Sequence, residues 1–188
     1  PTHSTSSAAS DVYKRQPLVY VNMVGGQDEL VYDGASFALN ADGKLAAHLP
    51  SFSETTSVIR VGEDFGVPSL TGQMTPPDDG MGALYRGLTL GLRDYIDKNG
   101  FPGVVLGLSG GIDSAIVAAL AVDALGAERV HAVMMPSPYT SQESLDDAAD
   151  LAGRLGIRLD EISIAPAMQA MGDIMAPQFD GTSADITE

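Results

Sequence analysis

Cysteine is missing from this 188-residue chain. Without a thiol, these residues cannot form a disulfide, bind zinc through thiolates or supply a cysteine nucleophile. No apolar run approaches the roughly 18 residues that span a bilayer. The Ser/Thr/Ala-rich stretch 1–16 also lacks the hydrophobic segment of a signal peptide. We therefore expect a soluble protein in the reducing cytoplasm, with no membrane partner.

Basic side chains are scarce, since 10 Lys and Arg stand against 25 Asp and Glu, a net charge of −15. This balance disfavours sequence-independent binding to a nucleic acid backbone or to an anionic membrane. We therefore expect no nucleic acid partner. An acidic protein that binds an anionic nucleotide must confine the attraction to one place, through backbone N–H groups, a helix N-terminus and a divalent cation.

The first half of the chain divides into three stretches of different composition. Residues 1–16 show no periodicity, and they are either a leader foreign to the protein or a native disordered tail. Residues 17–50 hold short strand-like runs, with Asp42-Gly43 favouring a hairpin. A few strands cannot make a stable sheet domain alone, so we expect the end of a truncated domain here. Residues 51–80, rich in Ser, Thr and Pro, predict an irregular linker between two domains.

The second half is the most regular part of the sequence. A helix is predicted over 81–98, where apolar residues recur at helical spacing. A β-α-β-α-β pattern then follows, with strands at 103–108, 130–135 and 157–164, a helix at 112–125, and a second helix that starts at the capping-box pair Thr140 and Glu143 and ends near 155. This order predicts an α/β fold with a doubly wound parallel sheet, right-handed crossovers and a ligand crevice at the carboxyl ends of the strands.

One strand-to-helix turn carries the chemistry, the sequence Ser109-Gly110-Gly111-Ile112-Asp113-Ser114. Its two glycines can take backbone angles closed to other residues, and they let phosphate oxygens approach the N–H groups. The two serine hydroxyls add donors, and the following helix points its positive end at an anion. Because Asp113 repels phosphate, its carboxylate is better explained as a ligand for the Mg²⁺ that accompanies ATP. The alternative is a tight turn before a helix, without a ligand.

This loop is neither a Walker A sequence nor the three-glycine dinucleotide fingerprint. It resembles the Ser-Gly-Gly-X-Asp-Ser signature of the ATP pyrophosphatase family, which cleaves ATP between the α- and β-phosphates. The resemblance implies that ATP and Mg²⁺ are the cofactors. It also implies that Leu108 and the residues from Ser109 to Ser114 bind the nucleotide, with Ser109 catalytic and Asp113 as the metal ligand.

Two longer stretches resemble NAD synthetases more closely than the family at large, GLRDYIDKNGFPGVVLGLSGGIDSAIVAALAVDALG and VMMPSPYTSQESLDDAADLAGRLGI. The resemblance implies that residues 81–188 are the first half of a synthetase domain and that the segment 135–141 lies near the adenosine of ATP. Met135 is accordingly a candidate adenine contact, although a core-filling methionine is the alternative. At 185–188 the sequence resembles the start of a Thr-Glu-Glu-Asn stretch of the family.

The upstream sequence VNMVGGQDELVYDGASFALNADGKL resembles the closing strands of the nitrilase-like glutaminase domain of glutamine-dependent NAD synthetases. In that family the domain releases ammonia from glutamine with a Glu, a Lys and a Cys, and none of them can be assigned here. A separate acidic turn is formed by Gln27, Asp28, Glu29 and Asp33. This turn is either solvated and structural or part of a glutamine pocket.

The resemblance implies an ATP-dependent ligase that amidates deamido-NAD to NAD through an adenylylated intermediate. Its substrates are deamido-NAD, ATP and glutamine or ammonia, and the complete enzyme is expected to be a homo-oligomer. Another amidotransferase or ligase of the ATP pyrophosphatase type, or an inactive nucleotide-binding fragment, is the alternative. We interpret the three histidines, His3, His48 and His131, as structural or incidental.

Overall fold

The computed structural model describes residues 16–64, 66–78 and 80–179. The predicted leader, apart from Gln16, and the family-like stretch at 185–188 lie outside the described residues. The chain forms two compact units, Pro1–Phe101 and Pro102–Glu188. Among the described residues, no helix combines the length and the apolar character needed to cross a bilayer.

The first unit begins with short strands, as the sequence predicts. They are β1 (Leu18–Tyr20), β2 (Val24–Gln27), β3 (Leu30–Asp33), β4 (Phe37–Leu39) and β5 (Leu45–His48). The antiparallel sheet has the order β1-β4-β5, and β2 pairs with β3 as a separate hairpin. The predicted hairpin at Asp42-Gly43 is confirmed, because it joins β4 to β5.

The acidic turn of the sequence analysis joins β2 to β3. Gln27, Asp28 and Glu29 are all exposed, and Asp28 has a φ of 53°. Asp33 is exposed as well, and its Oδ1 accepts a hydrogen bond of 3.0 Å from the side-chain amide of Asn22. The structure therefore favours a solvated hairpin turn with a structural carboxylate over a glutamine pocket.

The prediction of an irregular stretch over 51–80 is wrong for its middle part. Strands β6 (Arg60–Asp64) and β7 (Val67–Thr71) form an antiparallel hairpin there. Leu70 of β7 is 6% exposed and packs with Ala38 and Ala47. Its backbone N–H donates to the Oδ1 of Asn40 at 2.7 Å. The sequence shows no clear strand pattern here, because this hairpin has few apolar side chains and its contacts are with residues far away in the chain.

Helix α1 (Gly80–Lys98) closes the first unit, and it agrees closely with the helix predicted over 81–98. Its buried residues are Leu90 and Ile96, and it packs against β2 and β3. It thus belongs to the same compact unit as the strands that precede it. The domain limits drawn from the sequence stay predictions.

The second unit confirms the β-α-β-α-β order. Its elements are β8 (Val104–Gly107), α2 (Ile112–Leu125), β9 (Val130–Met134), α3 (Gln142–Leu155), β10 (Arg158–Glu161) and α4 (Ala165–Met175). All three strands are parallel, in the order β10-β9-β8. The predicted α/β class with a parallel sheet is therefore confirmed.

Helices α2 and α3 cover the same face of this sheet, because two right-handed crossovers that step in one direction place their helices on one side. Along β9 the residues Val130, Ala132 and Met134 are buried. On the other face Val105 remains 71% exposed. A doubly wound sheet has helices on both of its faces, and α2 and α3 form the helical layer on one of them.

Helix α3 begins one residue later than the predicted capping box. Its N-cap is Ser141, whose Oγ accepts from the N–H of Ser144 at 3.2 Å. The hydroxyl of Thr140 is engaged elsewhere, because it accepts from the N–H of Ser137 at 2.9 Å. The predicted stop is confirmed, since Gly156 caps the helix in the left-handed conformation.

Candidate functional site

The predicted nucleotide loop leaves the sheet at Leu108, directly after β8. The Leu108 side chain is 2% exposed, and its N–H donates to the carbonyl of Val133 at 2.9 Å. This bond continues the pairing of β8 with β9 by one residue. The loop is therefore anchored at its first residue in the core, at the carboxyl end of β8, where open α/β sheets bind ligands.

Inside the loop, the two serines brace each other. The N–H of Ser109 donates to the Oγ of Ser114 at 3.2 Å, and the two hydroxyl oxygens are 3.1 Å apart. Ser114 Oγ donates to the carbonyl of Gly111 at 2.9 Å, and Ser109 Oγ accepts from the N–H of Gly111 at 3.3 Å. A hydroxyl has only one proton, so Ser109 must be the donor to Ser114. Both serine protons are thus used within the loop itself.

Gly110 gives the loop its sharp bend. Its φ is 81°, in the left-handed region that side chains rarely adopt, and its backbone lies against Ser144 in the first turn of α3. The bend directs the chain from the end of β8 into the start of α2. The loop thus depends on a contact with the next helix of the sheet, and sequence reasoning had not included Ser144 in the site.

The N-terminus of α2 is free of a side-chain cap. Gly111 is the N-cap residue, with φ −82° and ψ 158°, and it has no side chain that could accept from the first turn. The first backbone N–H groups of a helix have no intrahelical acceptor, and they carry the positive end of its dipole. This end of α2 can therefore bind an anion, as the sequence predicts.

Ile112 and Asp113 occupy the first turn of α2, and both are exposed. Within the described ranges, no group of three or more His, Cys, Asp or Glu side chains is placed to hold a metal ion. Mg²⁺ is commonly held by one or two carboxylates together with substrate phosphates and water. A single exposed carboxylate beside an anion-binding helix end fits that manner of binding.

A cavity of about 260 Å³ lies beside the loop, at the carboxyl ends of β8 and β9. It brings together Leu108, Ser109 and Met135 of the predicted site. Met135 is 54% exposed, so among the described residues it lies at the surface of the cavity and does not fill the core. The other loop residues, from Gly110 to Ser114, do not line this cavity. The predicted residues therefore form two adjoining surfaces, one apolar and one with backbone donors.

Thr140, which lies in the segment 135–141 expected near the adenosine, also lines the cavity, whereas Leu145 of α3 was not singled out from the sequence. Thr140 closes a turn whose other end is Ser137, with its N–H bonded to the Ser137 carbonyl at 3.1 Å. The position of α3 in the fold could have predicted this contact of Leu145. Because β9 ends beside β8, the start of α3 must lie near the nucleotide loop that follows β8.

Two of the three histidines, His48 and His131, have structural partners, and His3 lies outside the described residues. His131 Nε2 lies 2.9 Å from Asp160 Oδ2, and Arg158 donates to both oxygens of the same carboxylate. The Arg158 guanidinium, helped by His131, holds the pKa of Asp160 below its usual value. His48 Nδ1 lies 2.8 Å from the carbonyl of Thr75. The sequence does not predict Asp160 as the partner of His131, because the two residues come together only through the parallel pairing of β9 with β10.

Comparison with known proteins identifies the family of this chain. A sequence model of the NAD synthase family matches residues 84–187. A glutamine-dependent NAD(+) synthetase of Rhodobacter capsulatus is 52% identical over 175 residues, covering 92% of this chain and 31% of the relative. One from Acinetobacter baylyi is 42% identical over 174 residues, covering 91% and 31% respectively.

A solved structure shows the same fold. The glutamine-dependent NAD+ synthetase from Acinetobacter baumannii, in complex with adenosine diphosphate, is 42% identical, with a TM-score of 0.85. The match covers 96% of this chain and 34% of that one. This chain thus spans about a third of the length of the proteins it matches. Because the family model covers more than half of the 188 residues, the chain belongs to the NAD synthase family.

Proposed function

We propose that these residues bind Mg-ATP in a ligase that converts deamido-NAD to NAD. The carboxylate of deamido-NAD displaces pyrophosphate from the α-phosphorus of ATP and becomes adenylylated. Ammonia then displaces AMP and leaves the nicotinamide amide. The observation that carries the proposal is the uncapped start of α2 behind the bend at Gly110, in a chain of the NAD synthase family.

The loop's part in this reaction is electrostatic. Backbone N–H groups at the start of α2 donate to the phosphates and stabilise the charge that builds on the leaving pyrophosphate. The hydroxyls of Ser109 and Ser114 are already bonded to the loop, so they hold its shape before a ligand arrives. To donate to a phosphate, Ser109 must exchange its bond to Ser114 for one to the ligand. We assign Ser109 to the catalytic set on this basis.

Asp113 is the candidate metal ligand. It is exposed in the first turn of α2, one residue beyond Ile112, and a carboxylate oxygen there can face a phosphate-bound cation. Bound Mg²⁺ would neutralise phosphate charge beside Asp113. With a net charge of −15 the chain does not attract an anion through its overall field, so a local cation favours binding.

The apolar cavity is the candidate adenine site. Its volume of about 260 Å³ is small beside the roughly 300–1,000 Å³ of typical ligand pockets, so it accepts part of a nucleotide. Met135 and Leu108 provide apolar contacts, and Ser109 borders the phosphate loop. An adenine in the cavity would place its phosphates toward the start of α2.

The proposal also covers the source of ammonia, the oligomeric state and the cellular compartment of the whole enzyme. The relatives are named glutamine-dependent, and the strands over 17–50 resemble their glutaminase domain. We infer that glutamine supplies ammonia through a region outside these residues. We also infer a homo-oligomeric, cytoplasmic enzyme.

The test has two steps. Isothermal titration of this chain with Mg-ATP should show binding, whereas titration with GTP should be weaker. An enzyme of the relatives' length that carries these residues should form AMP and pyrophosphate only when deamido-NAD is supplied. AMP formation with xanthosine monophosphate or aspartate instead would favour another ligase of the ATP pyrophosphatase type. ATP binding without turnover on any acceptor would leave the nucleotide-binding module as the function.

A further inference from the structure

All the sulfur in this chain belongs to methionine. The sequence holds eight methionines and no cysteine, so thioethers are the sulfur groups that an oxidant meets. Oxidation of a methionine adds one oxygen to its sulfur and turns a flexible apolar side chain into a polar, chiral one. The effect on function therefore depends on where each thioether lies and on what it contacts.

Met135 lies at the candidate nucleotide site, directly after β9, and it lines the cavity beside the loop. Its terminal methyl lies close to Gly107, the last residue of β8, where a Cβ would be 3.6 Å from it. The thioether therefore reaches from the end of one strand toward the end of its neighbour. Because Met135 is 54% exposed, a small oxidant dissolved in water can approach its sulfur. The adjacent Met134 also borders the cavity, but it is buried.

The lining around Met135 offers little compensation for a polar oxygen. Its two hydroxyls belong to Ser109 and Thr140, and both are already engaged. Ser109 Oγ is bonded within the nucleotide loop, while Thr140 Oγ1 accepts from the N–H of Ser137 and lies 3.1 Å from the Ser137 hydroxyl. A sulfoxide oxygen covered by an adenine would lose water and find no hydroxyl free to donate, which is costly. The other side chains of the lining are apolar, among them Leu108, Val133, Pro136 and Leu145.

We propose that Met135 is a peroxide-sensitive modification site, and that its conversion to the sulfoxide weakens nucleotide binding. This inference rests on the proposed function, because it takes the cavity as the adenine site. A lone pair of the thioether sulfur attacks one oxygen of hydrogen peroxide, the O–O bond breaks, and the second oxygen leaves as water with both hydrogens. The sulfur loses two electrons, which the peroxide takes up. Methionine sulfoxide reductases restore the thioether, so the change is reversible.

Met171 on α4 provides a matched comparison within the chain. It is 58% exposed, close to the 54% of Met135, and it is not among the described residues that line the cavity. Peroxide should therefore oxidise the two at similar rates, because both thioethers are open to water. The sulfoxide at Met171 should leave nucleotide binding unchanged, whereas the one at Met135 should weaken it.

The experiment measures the affinity of this chain for Mg-ATP before and after treatment with hydrogen peroxide, in wild type, Met135→Leu and Met171→Leu. Isothermal titration gives the affinity, and mass spectrometry of proteolytic peptides locates the added oxygen. Wild type and Met171→Leu should each lose about tenfold in affinity, from covering a polar oxygen that lacks a donor. Met135→Leu should keep whatever affinity it has before treatment, because leucine carries no sulfur. The two reductases, one for each sulfoxide epimer, should restore the wild type.

A second measurement uses wild type alone. Bound Mg-ATP should slow the oxidation of Met135, since the adenine covers its thioether, and it should leave the rate at Met171 unchanged. This measurement decides the question if Met135→Leu binds too weakly to titrate.

Four outcomes overturn the proposal. They are oxidation of Met171 with Met135 left unmodified, unchanged affinity in wild type whose Met135 is oxidised, an equal loss of affinity in Met135→Leu, and equal oxidation of Met135 with and without Mg-ATP. Untreated wild type that fails to bind Mg-ATP would instead refute the proposed function on which the inference rests.

Discussion

Gly110 lies against the backbone of Ser144, so that a Cβ at Gly110 would be 2.8 Å from the Cα of Ser144 and closer still to its carbonyl oxygen. Backbone atoms in a helix cannot move aside as a flexible side chain can. The nucleotide loop and the first turn of α3 are therefore fitted to each other, and the fit requires a residue without a side chain.

Gly110→Ala should abolish Mg-ATP binding by this chain. The new Cβ meets the Ser144 backbone and the φ of 81° is unfavourable for alanine, so the loop must move. Isothermal titration measures the loss. Gly153→Ala in α3 is the control, since a Cβ there meets nothing within 4 Å, and it should bind normally with about 0.5–1 kcal/mol more stability. Normal ATP affinity in Gly110→Ala would refute the assigned loop.

Asp113→Ala should remove the magnesium dependence of ATP binding and abolish ATP–pyrophosphate exchange in the longer enzyme. Without the carboxylate, the cation is held by phosphate and water alone. Binding is titrated with and without Mg²⁺, and exchange is followed with labelled pyrophosphate. Asp147→Ala provides the same charge change on an exposed part of α3. Exchange at the wild-type rate in Asp113→Ala would show that the metal assignment is wrong.

Ser114→Ala should lower the free energy of unfolding more than Ser109→Ala does. Ser114 Oγ is bonded to the N–H and the hydroxyl of Ser109 and to the carbonyl of Gly111. Ser109 Oγ contacts Ser114 and the N–H of Gly111. At about 1 kcal/mol for each hydrogen bond, the difference between the variants is about 1 kcal/mol in the free energy of unfolding. Urea denaturation followed by circular dichroism measures it, and the reverse order contradicts the brace.

The contacts of Asp160 predict an acid-dependent loss of stability. Arg158 and His131 lower its pKa below the usual 3.8 in the folded protein. The contribution is fully present above pH 3.8 and is lost as the pH falls through the lower, folded-state value. Asp160→Asn should flatten the stability profile in this window. Thermal unfolding at a series of acidic pH values measures this, and an unaltered acid profile would count against the contact.

Leu70→Ala should test the hairpin that replaced the predicted linker. Leu70 is 6% exposed, and its truncation leaves a cavity against Ala38 and Ala47, at a cost of about 2–5 kcal/mol. Val61→Ala in the partner strand is the control, because Val61 is 73% exposed and should cost little. Chemical denaturation compares the two. Equal stability would mean that the stretch acts as a loose linker after all.

Most elements of the second unit were predicted from local sequence patterns. These patterns are the apolar run before Ser109, the helical spacing after it and the glycine at 156. They specify elements whose hydrogen bonds form within one helix or between successive strands. The helix over 81–98 was predicted within one residue for the same reason. The prediction was incomplete for elements that are set by contacts with other parts of the chain. The hairpin at β6 and β7 is held by Asn40, and the start of α3 shifted because Thr140 bonds to Ser137.

The order of residues determined the loop itself, because two glycines between a strand and the following helix place backbone N–H groups at the carboxyl end of the parallel sheet. The sequence also determined the scarcity of basic side chains, which requires a local device for binding an anion. Only the tertiary structure decided that Gly110 meets Ser144, that His131 meets Asp160, and that Asp94 and Lys98 bind Gly26. These contacts join residues far apart in the chain, and their energies depend on distances that only the packed strands and helices set.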